Sequence, residues 1–382
     1  MRFSHRIVTK IPNSWRRLLK RLPGTRALRN RLYGYPRGPV PQPGALRPVV
    51  YLPTWTEWDV MPQRPQYILE AFAAAGHPVW FVDPRISEPE EHAERIRLVS
   101  SVAEVPPRDV IIYCHFAPLS SLIRLFENSA VVYDILDDLA IYDPDEGHLP
   151  EEARVRFHHG DLVDSADIIT VSNPVLAPRH AGARDDVLVV ENGVDLERFT
   201  PDGPVTRVGR SPVIGYHGAV AEWFDFELMS HIADLAPDLE FVLVGPVYDR
   251  VSAQMEALVA RANVTHIPRQ SGEKIPEYVR GFDVGLIPFL IDEMTEGVTP
   301  LKMYEYMACG IPVVSTPLPA CVEHPGVAST DDPSEFVEQI RTGIRAPDGE
   351  KDRLKRLADQ ASWDHRLAPV LRRLEELGVR SV

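Results

Sequence analysis

What most restricts the fold of this chain is a repeated alternation of short, continuously apolar runs with segments of helix length. VVYLP (49–53), PVWFVDP (78–84), DVIIYCH (109–115), AVVYDIL (130–136), ADIITVS (166–172) and DVLVVENG (186–193) make a first series. RSPVIGYHG (210–218), LEFVLVGP (239–246), VTHIP (264–268), VGLIPF (284–289) and IPVVST (311–316) make a second. Strands apolar on both faces need cover on both sides, and parallel sheets obtain it from crossover helices. A single core stops growing at roughly 250 to 300 residues, so two series in 382 residues predict two domains. The expected fold class is α/β, with two Rossmann-like doubly wound parallel-sheet domains facing across a cleft, because ligands of such sheets collect at the C-terminal ends of the strands. The predicted division is an arm and linker over 1–47, a first domain over 48–205, a second over 206–361 and a C-terminal helix over 362–382.

Charge narrows the partners. The chain holds 41 Lys or Arg against 55 Asp or Glu, but residues 1–47 contain 12 basic residues and no acid, which leaves 29 against 55 in the body. A body of net charge −26 is a poor nucleic-acid binder. The arm, NSWRRLLKRLPGTRALRNRLYGY followed by the proline-rich GYPRGPVPQPGALRP, interleaves leucines with arginines and predicts contact with an anionic membrane surface. Cys114, Cys309 and Cys321 have no zinc-like spacing and suit a reducing compartment. With no apolar run of about 18 residues and no secretory signal core, the expected location is the cytoplasm, peripheral to the inner face of the membrane.

Chemistry concentrates in GVTPLKMYEYMACGIPVVST (297–316). Thr299 reads as an N-cap, Pro300 as the first helical residue and Gly310 as a left-handed C-cap residue. Leu301, Tyr304 and Ala308 would form the core stripe, and Lys302, Glu305 and Cys309 the other. A lysine in the first turn opposes the helix dipole, which makes sense if an anion occupies that end. A phosphate held by the helix N-terminus and Lys302, with Glu305 accepting sugar hydroxyls, uses these features together; the alternative is a solvated Lys–Glu pair.

Four other places carry candidates. Gly215 and Gly218, flanking His217 after a strand, could let backbone amides approach a phosphate or simply make a tight turn. His115, at the end of a strand, could position or deprotonate an acceptor hydroxyl, or be a buried structural histidine. Asp134, Asp137 and Asp138 could hold Mg2+ together with a phosphate, but capping the following helix or binding substrate hydroxyls is the preferred reading. Arg64 and Gln66, at a loop-to-helix junction, could make polar contacts in the cleft, or Arg64 could be an exposed helix-start arginine.

ENGVDLERF, GYHG, FVLVGP, GFDVGLIPF and LKMYEYMACGIPVVST, in this order from about residue 48 to 375, resemble the retaining, nucleotide-sugar-dependent glycosyltransferases of the GT-B fold, group 1 or family 4-like. The resemblance implies a hexosyltransferase with its acceptor in the first domain and its donor in the second, moving a sugar from a nucleotide-diphosphate sugar to a hydroxyl of a glycan or lipid-linked acceptor, a surface polysaccharide precursor, without metal or other cofactor. It implies a Glu-x7-Glu pair whose second member is Glu305; eight positions back lies Gly297, and the nearest carboxylate is Glu296. Donor contacts are then expected from Glu296, Gly297, Val298, Thr299, Pro300 and Leu301. The family's basic pair for the diphosphate is missing from GAVAEWFD, which leaves Lys302, Arg269 or Lys274, and its first-domain histidine corresponds in placement to His115. A nucleotide-sugar epimerase on the same fold and a catalytically silent binding scaffold are the alternatives.

Overall fold

The computed structural model describes residues 35–54, 57–58, 62–137, 158–182, 184–209 and 212–382. Each expected apolar run is a strand. In the first sheet these are β1 Val49–Tyr51, β2 Val79–Val82, β5 Ile111–Cys114, β6 Ala130–Ile135, β7 Ile168–Val171 and β8 Leu188–Val189. The sheet also takes in a hairpin absent from the prediction, β3 Glu90–Ala93 and β4 Ile96–Val99, giving the order β3-β4-β2-β1-β5-β6-β7-β8. Only β3 pairs antiparallel. Its side chains are all exposed, so no hydrophobic alternation marked it.

The second sheet has the order β11-β10-β9-β12-β13-β14, all parallel: β9 Val213–His217, β10 Glu240–Val244, β11 Val264–Ile267, β12 Val284–Ile287, β13 Val313–Ser315 and β14 Val327–Ser329. In both sheets the strand order reverses beside the first strand, at β1/β5 and at β9/β12. Those reversals open the crevices where doubly wound sheets bind ligands.

The predicted domain division is corrected at both ends. The helix Trp363–Glu376, capped by Ser362, is part of the first domain: Trp363, Leu367, Val370 and Leu374 lie in its core with Tyr67, Ile68 and Phe72 of the helix Arg64–Ala74. Nor is the proline-rich segment a free linker where described. Arg37 and Gly38 donate backbone hydrogen bonds to Ala103 and Val105, Leu46 bridges Ser381, and the buried Arg47 reaches the carbonyls of Asn128 and Ser381. Residues 1–34, the amphipathic part of the arm, lie outside the described residues. Among those described, no helix is long and apolar enough to cross a membrane.

Candidate active site

The helix Leu301–Ala308 follows β12 and stands at the second crevice. Pro300 is its N-cap and Leu301 its first residue, one position later than expected, and no side chain caps it. Its end is as predicted. Gly310 has φ +72° and donates to the Met307 carbonyl, while Ile311 donates to Tyr306, the paired bonds of a Schellman ending. The stripes are corrected. Tyr304 and Ala308 enter the core of the second domain as expected, Tyr304 also accepting a hydrogen bond from Arg366, but Met303, Tyr306, Met307 and Cys309 enter it too, whereas Leu301 packs on first-domain residues.

Lys302 is in the first turn, which contains no acid. Its Nζ lies 4.7 Å from the Phe289 ring centre and 5.2 Å from that of Tyr216, and no carboxylate is within ion-pair distance among the described residues. Desolvation lowers its pKa to about 8 despite the opposing field of Glu305. The ammonium borders Gly218, whose φ of +123° suits glycine and where a Cβ would lie 3.5 Å from Nζ. Gly215 is no part of this cradle: it lies inside β9, and a Cβ there would penetrate the Phe282 ring. Its assignment as a donor contact is therefore corrected to a packing role.

Glu305, 6% exposed, has Oε2 at 3.1 Å from Nε2 of His217, itself 7% exposed. The angles are not those of a hydrogen bond, and His217 Nε2 has no hydrogen-bond partner among the described residues. A buried polar nitrogen and a carboxylate thus meet the same space. Tyr67, from the first domain, faces them: burial first and the Glu305 carboxylate second push its hydroxyl pKa up.

Other expected donor residues are placed differently. Glu296 is half-exposed and pairs with Arg179 of the first domain at 2.8 Å, and Gly297 is buried in a 3-10 turn that Val298 ends. Lys274 is exposed and pairs with Glu277 at 2.9 Å, and Arg269 is exposed on the same loop. Thr299, expected as a cap, is 2% exposed and bonded to the first domain, its Oγ1 accepting from Asn173 (3.1 Å) and donating to the Ser172 carbonyl (3.2 Å).

On the first-domain side, His115 follows β5 at the β1/β5 reversal. Its Nδ1 is 3.2 Å from the Tyr51 hydroxyl, and the two rings stack. Burial depresses its pKa to about 4, so the imidazole is neutral at physiological pH. Asp134 is fully buried and does not cap a helix. Arg64 grips it through Nε (2.8 Å) and Nη2 (2.9 Å), and Thr170 and Tyr113 donate to it as well. Burial alone would raise the carboxyl pKa, but Arg64 and the two hydroxyls hold it below the ordinary range. Gln66 is corrected too: 1% exposed, it clamps its own loop by donating to the Glu57 and Trp58 carbonyls and accepting from Gln63. Asp137 is exposed just after β6, and Asp138 lies outside the described residues.

Among the described residues no group of three His, Cys, Asp or Glu side chains is arranged to hold a metal ion. A separate depression of about 530 Å³, lined in part by Glu222, Asp225, His231, Arg250 and Asp331, shares no residue with the surroundings of Lys302. Sequence reasoning missed Tyr216, Phe289, Asn173 and Asn192. The first two hid among ordinary core aromatics, and only the ENG at 191–193 hinted at the last.

Comparison with known proteins bears on this arrangement. Residues 211–345 match the family described as Glycosyl transferases group 1. The matched stretch takes in most of the second domain, which is similar to that family. Around it, the chain has the GT-B fold: it is similar to sucrose-phosphate synthase from Thermosynechococcus elongatus (TM-score 0.62, 16% identity, 87% of this chain and 100% of that one) and to Anabaena Alr3699/HepE in complex with UDP and glucose (TM-score 0.58, 14% identity, 86% and 100%). A Bacillus subtilis (strain 168) protein, TuaH, named as a teichuronic acid biosynthesis glycosyltransferase, is 26% identical over 262 residues, which are 64% of this chain and 66% of that protein. The match thus stops just short of two thirds of that relative's length. Within the matched residues lie Lys302, Glu305, His217 and Gly218, while His115 and the Arg64–Asp134 pair belong to the domain facing them.

Proposed function

We propose that the chain transfers a hexosyl group from a nucleoside diphosphate sugar to a hydroxyl of a glycan or lipid-linked acceptor, with retention of anomeric configuration and without a metal ion. The observation that carries this reading is Lys302: a cation at the positive end of a helix, desolvated, resting on two aromatic rings and without a carboxylate partner among the described residues. Such a group is destabilised until an anion arrives, and a diphosphate also takes up the free N–H groups of the first helical turn. As the sugar C1–O bond to the leaving diphosphate breaks, charge grows on oxygens that Lys302 and these N–H groups face. Glu305 accepts from ribose hydroxyls, and the unpartnered Nε2 of His217 is positioned to share them. His115, neutral and oriented by Tyr51, accepts a hydrogen bond from the attacking hydroxyl of the acceptor.

Because a similar structure holds UDP and glucose, UDP and UDP-glucose are the first probes, followed by GDP and ADP and their sugars. A ligand present at about 100 times its Kd stabilises by about 2.7 kcal/mol, well within reach of a thermal-shift screen. Transfer should survive EDTA, and the anomeric coupling in the product's proton NMR spectrum should match that of the donor. Absence of stabilisation by every nucleoside diphosphate would instead favour a binding scaffold, and acceptor-free isomerisation of the sugar nucleotide would favour an epimerase.

A further inference from the structure

Three residues before Lys302, Thr299 is held by the other domain, and the connector residue Asn192 joins the two halves of the site. Asn192 Oδ1 accepts from Arg64 Nη1 (3.2 Å), the arginine that is itself locked to buried Asp134. Asn192 Nδ2 donates to the Thr299 carbonyl (2.6 Å). The side chain thus bridges the acceptor-side ion pair and the lead-in of the donor helix. Its backbone is pinned as well: Arg366 donates to the Asn192 carbonyl (3.1 Å), pairs with Glu191 (2.9 Å) and donates to Tyr304 on the same donor helix (3.0 Å). A carboxamide is the head group this place requires, an acceptor toward a guanidinium and a donor toward a carbonyl. Aspartate would keep the first contact and turn lone pairs on the second.

We propose that Asn192 is a positioning residue that registers the first turn of the Lys302 helix against the Arg64–Asp134 pair and so sets the separation of donor and acceptor across the cleft. This rests on the glycosyl-transfer reading of the site. Lys302 supplies the contact to the leaving group, and Asn192 acts only through the position of its helix. A misplacement of about 1 Å costs on the order of 100-fold in rate, whereas binding of the nucleotide, confined to the second domain, needs no such register.

The test compares the full chain with Asn192→Ala and the nearly isosteric Asn192→Asp, each checked for cooperative melting. The expected result is turnover of UDP-glucose, measured as UDP release, lowered about 10- to 100-fold at unchanged KM, with the calorimetric Kd for UDP within about twofold of wild type. Small-angle X-ray scattering should show a larger radius of gyration for the variants with and without UDP. Unchanged turnover and scattering would overturn the inference, as would loss of UDP affinity matching the loss of turnover, since Asn192 would then shape the donor site itself. If wild type neither binds UDP nor releases it from UDP-glucose while the variants still expand, the transfer reading fails and the registering contact stands. If Asn192→Ala does not fold, Asn192→Asp provides the same readouts.

Discussion

Burial works against the charged forms of both Lys302 and His115, and the two reveal it in different pH windows. Lys302 has its pKa lowered to about 8 from the ordinary lysine value. Between that value and roughly 10.4 the unfolded chain keeps the proton and the folded one does not, so stability rises with pH across this window. Lys302→Met removes the desolvated charge: the melting temperature of the ligand-free variant should exceed wild type at pH 7, and the gap should shrink above pH 8. Turnover should fall by a barrier increase of about 2.7 to 4 kcal/mol, the usual cost of deleting one donor to a developing anion. Melting curves across pH and steady-state rates measure both, and a variant less stable than wild type at pH 7 would contradict the account. His115 has its pKa lowered to about 4, so as pH drops from roughly 6.5 to 4 the unfolded chain gains a proton the folded chain refuses, and stability falls. His115→Gln should flatten the acid side of the melting profile relative to wild type and reduce transfer while leaving UDP affinity intact; equal loss of both would assign it a structural role.

The elements around the site show why local patterns were good at locating ends and poor at assigning faces. Gly310 closes its helix because a left-handed residue is a local requirement. The stripes of the same helix were only partly read because it is buried on several flanks, against its own sheet, the helix Asp348–Asp359 and, through Leu301, the first domain, and a helix apolar nearly all round offers no single stripe to pick. Glycines divide in a similar way. Gly215→Ala should overpack against Phe282 and destabilise by about 1 to 3 kcal/mol, with the Kd for UDP of the folded protein unchanged. Gly218→Ala forces a side chain onto φ +123° beside Lys302 and should weaken UDP binding. Calorimetry paired with denaturant titration separates the two, and a Gly215→Ala variant that melts normally but loses nucleotide would restore its role in the donor site.

At the level of the molecule, the chain crosses between domains twice, and the second crossing completes the first domain. Val194 donates to the Ala361 carbonyl where the two connectors run side by side, and Trp363 stacks on Tyr67. A chain ending at Ser362 would therefore lose Trp363, Leu367, Val370 and Leu374 from a core that lies far away in sequence. Proteolysis should show its first domain cleaved first while the second persists; equal resistance of both would mean the helix is dispensable. The basic arm is a separate matter of surface charge. Sedimentation with phosphatidylserine vesicles should carry down the full chain but not a version beginning at Tyr35, and the difference should fade as salt shortens the screening length. Equal sedimentation of the two would remove the arm from any membrane role.

The alternation of apolar runs was enough to derive two doubly wound sheets, the positions of their central strands and the crevices at the strand ends, because burial on both faces leaves a mark in each such strand and that mark is local; β3, β4 and β14, at or next to a sheet edge, escaped it. Lys302 in an acid-free first turn was legible for the same reason, as a conflict with the dipole of its own helix. The partners of the site were not. Asp134 looked like a cap and is the buried counter-ion of Arg64; Thr299 looked like a cap and is bonded to Ser172 and Asn173; the helix Trp363–Glu376 carried no sign of its destination. These contacts join residues 70 to more than 300 positions apart, and a hydrogen bond or a packed ring across such a distance depends on where two domains come to rest, which no run of neighbouring residues records.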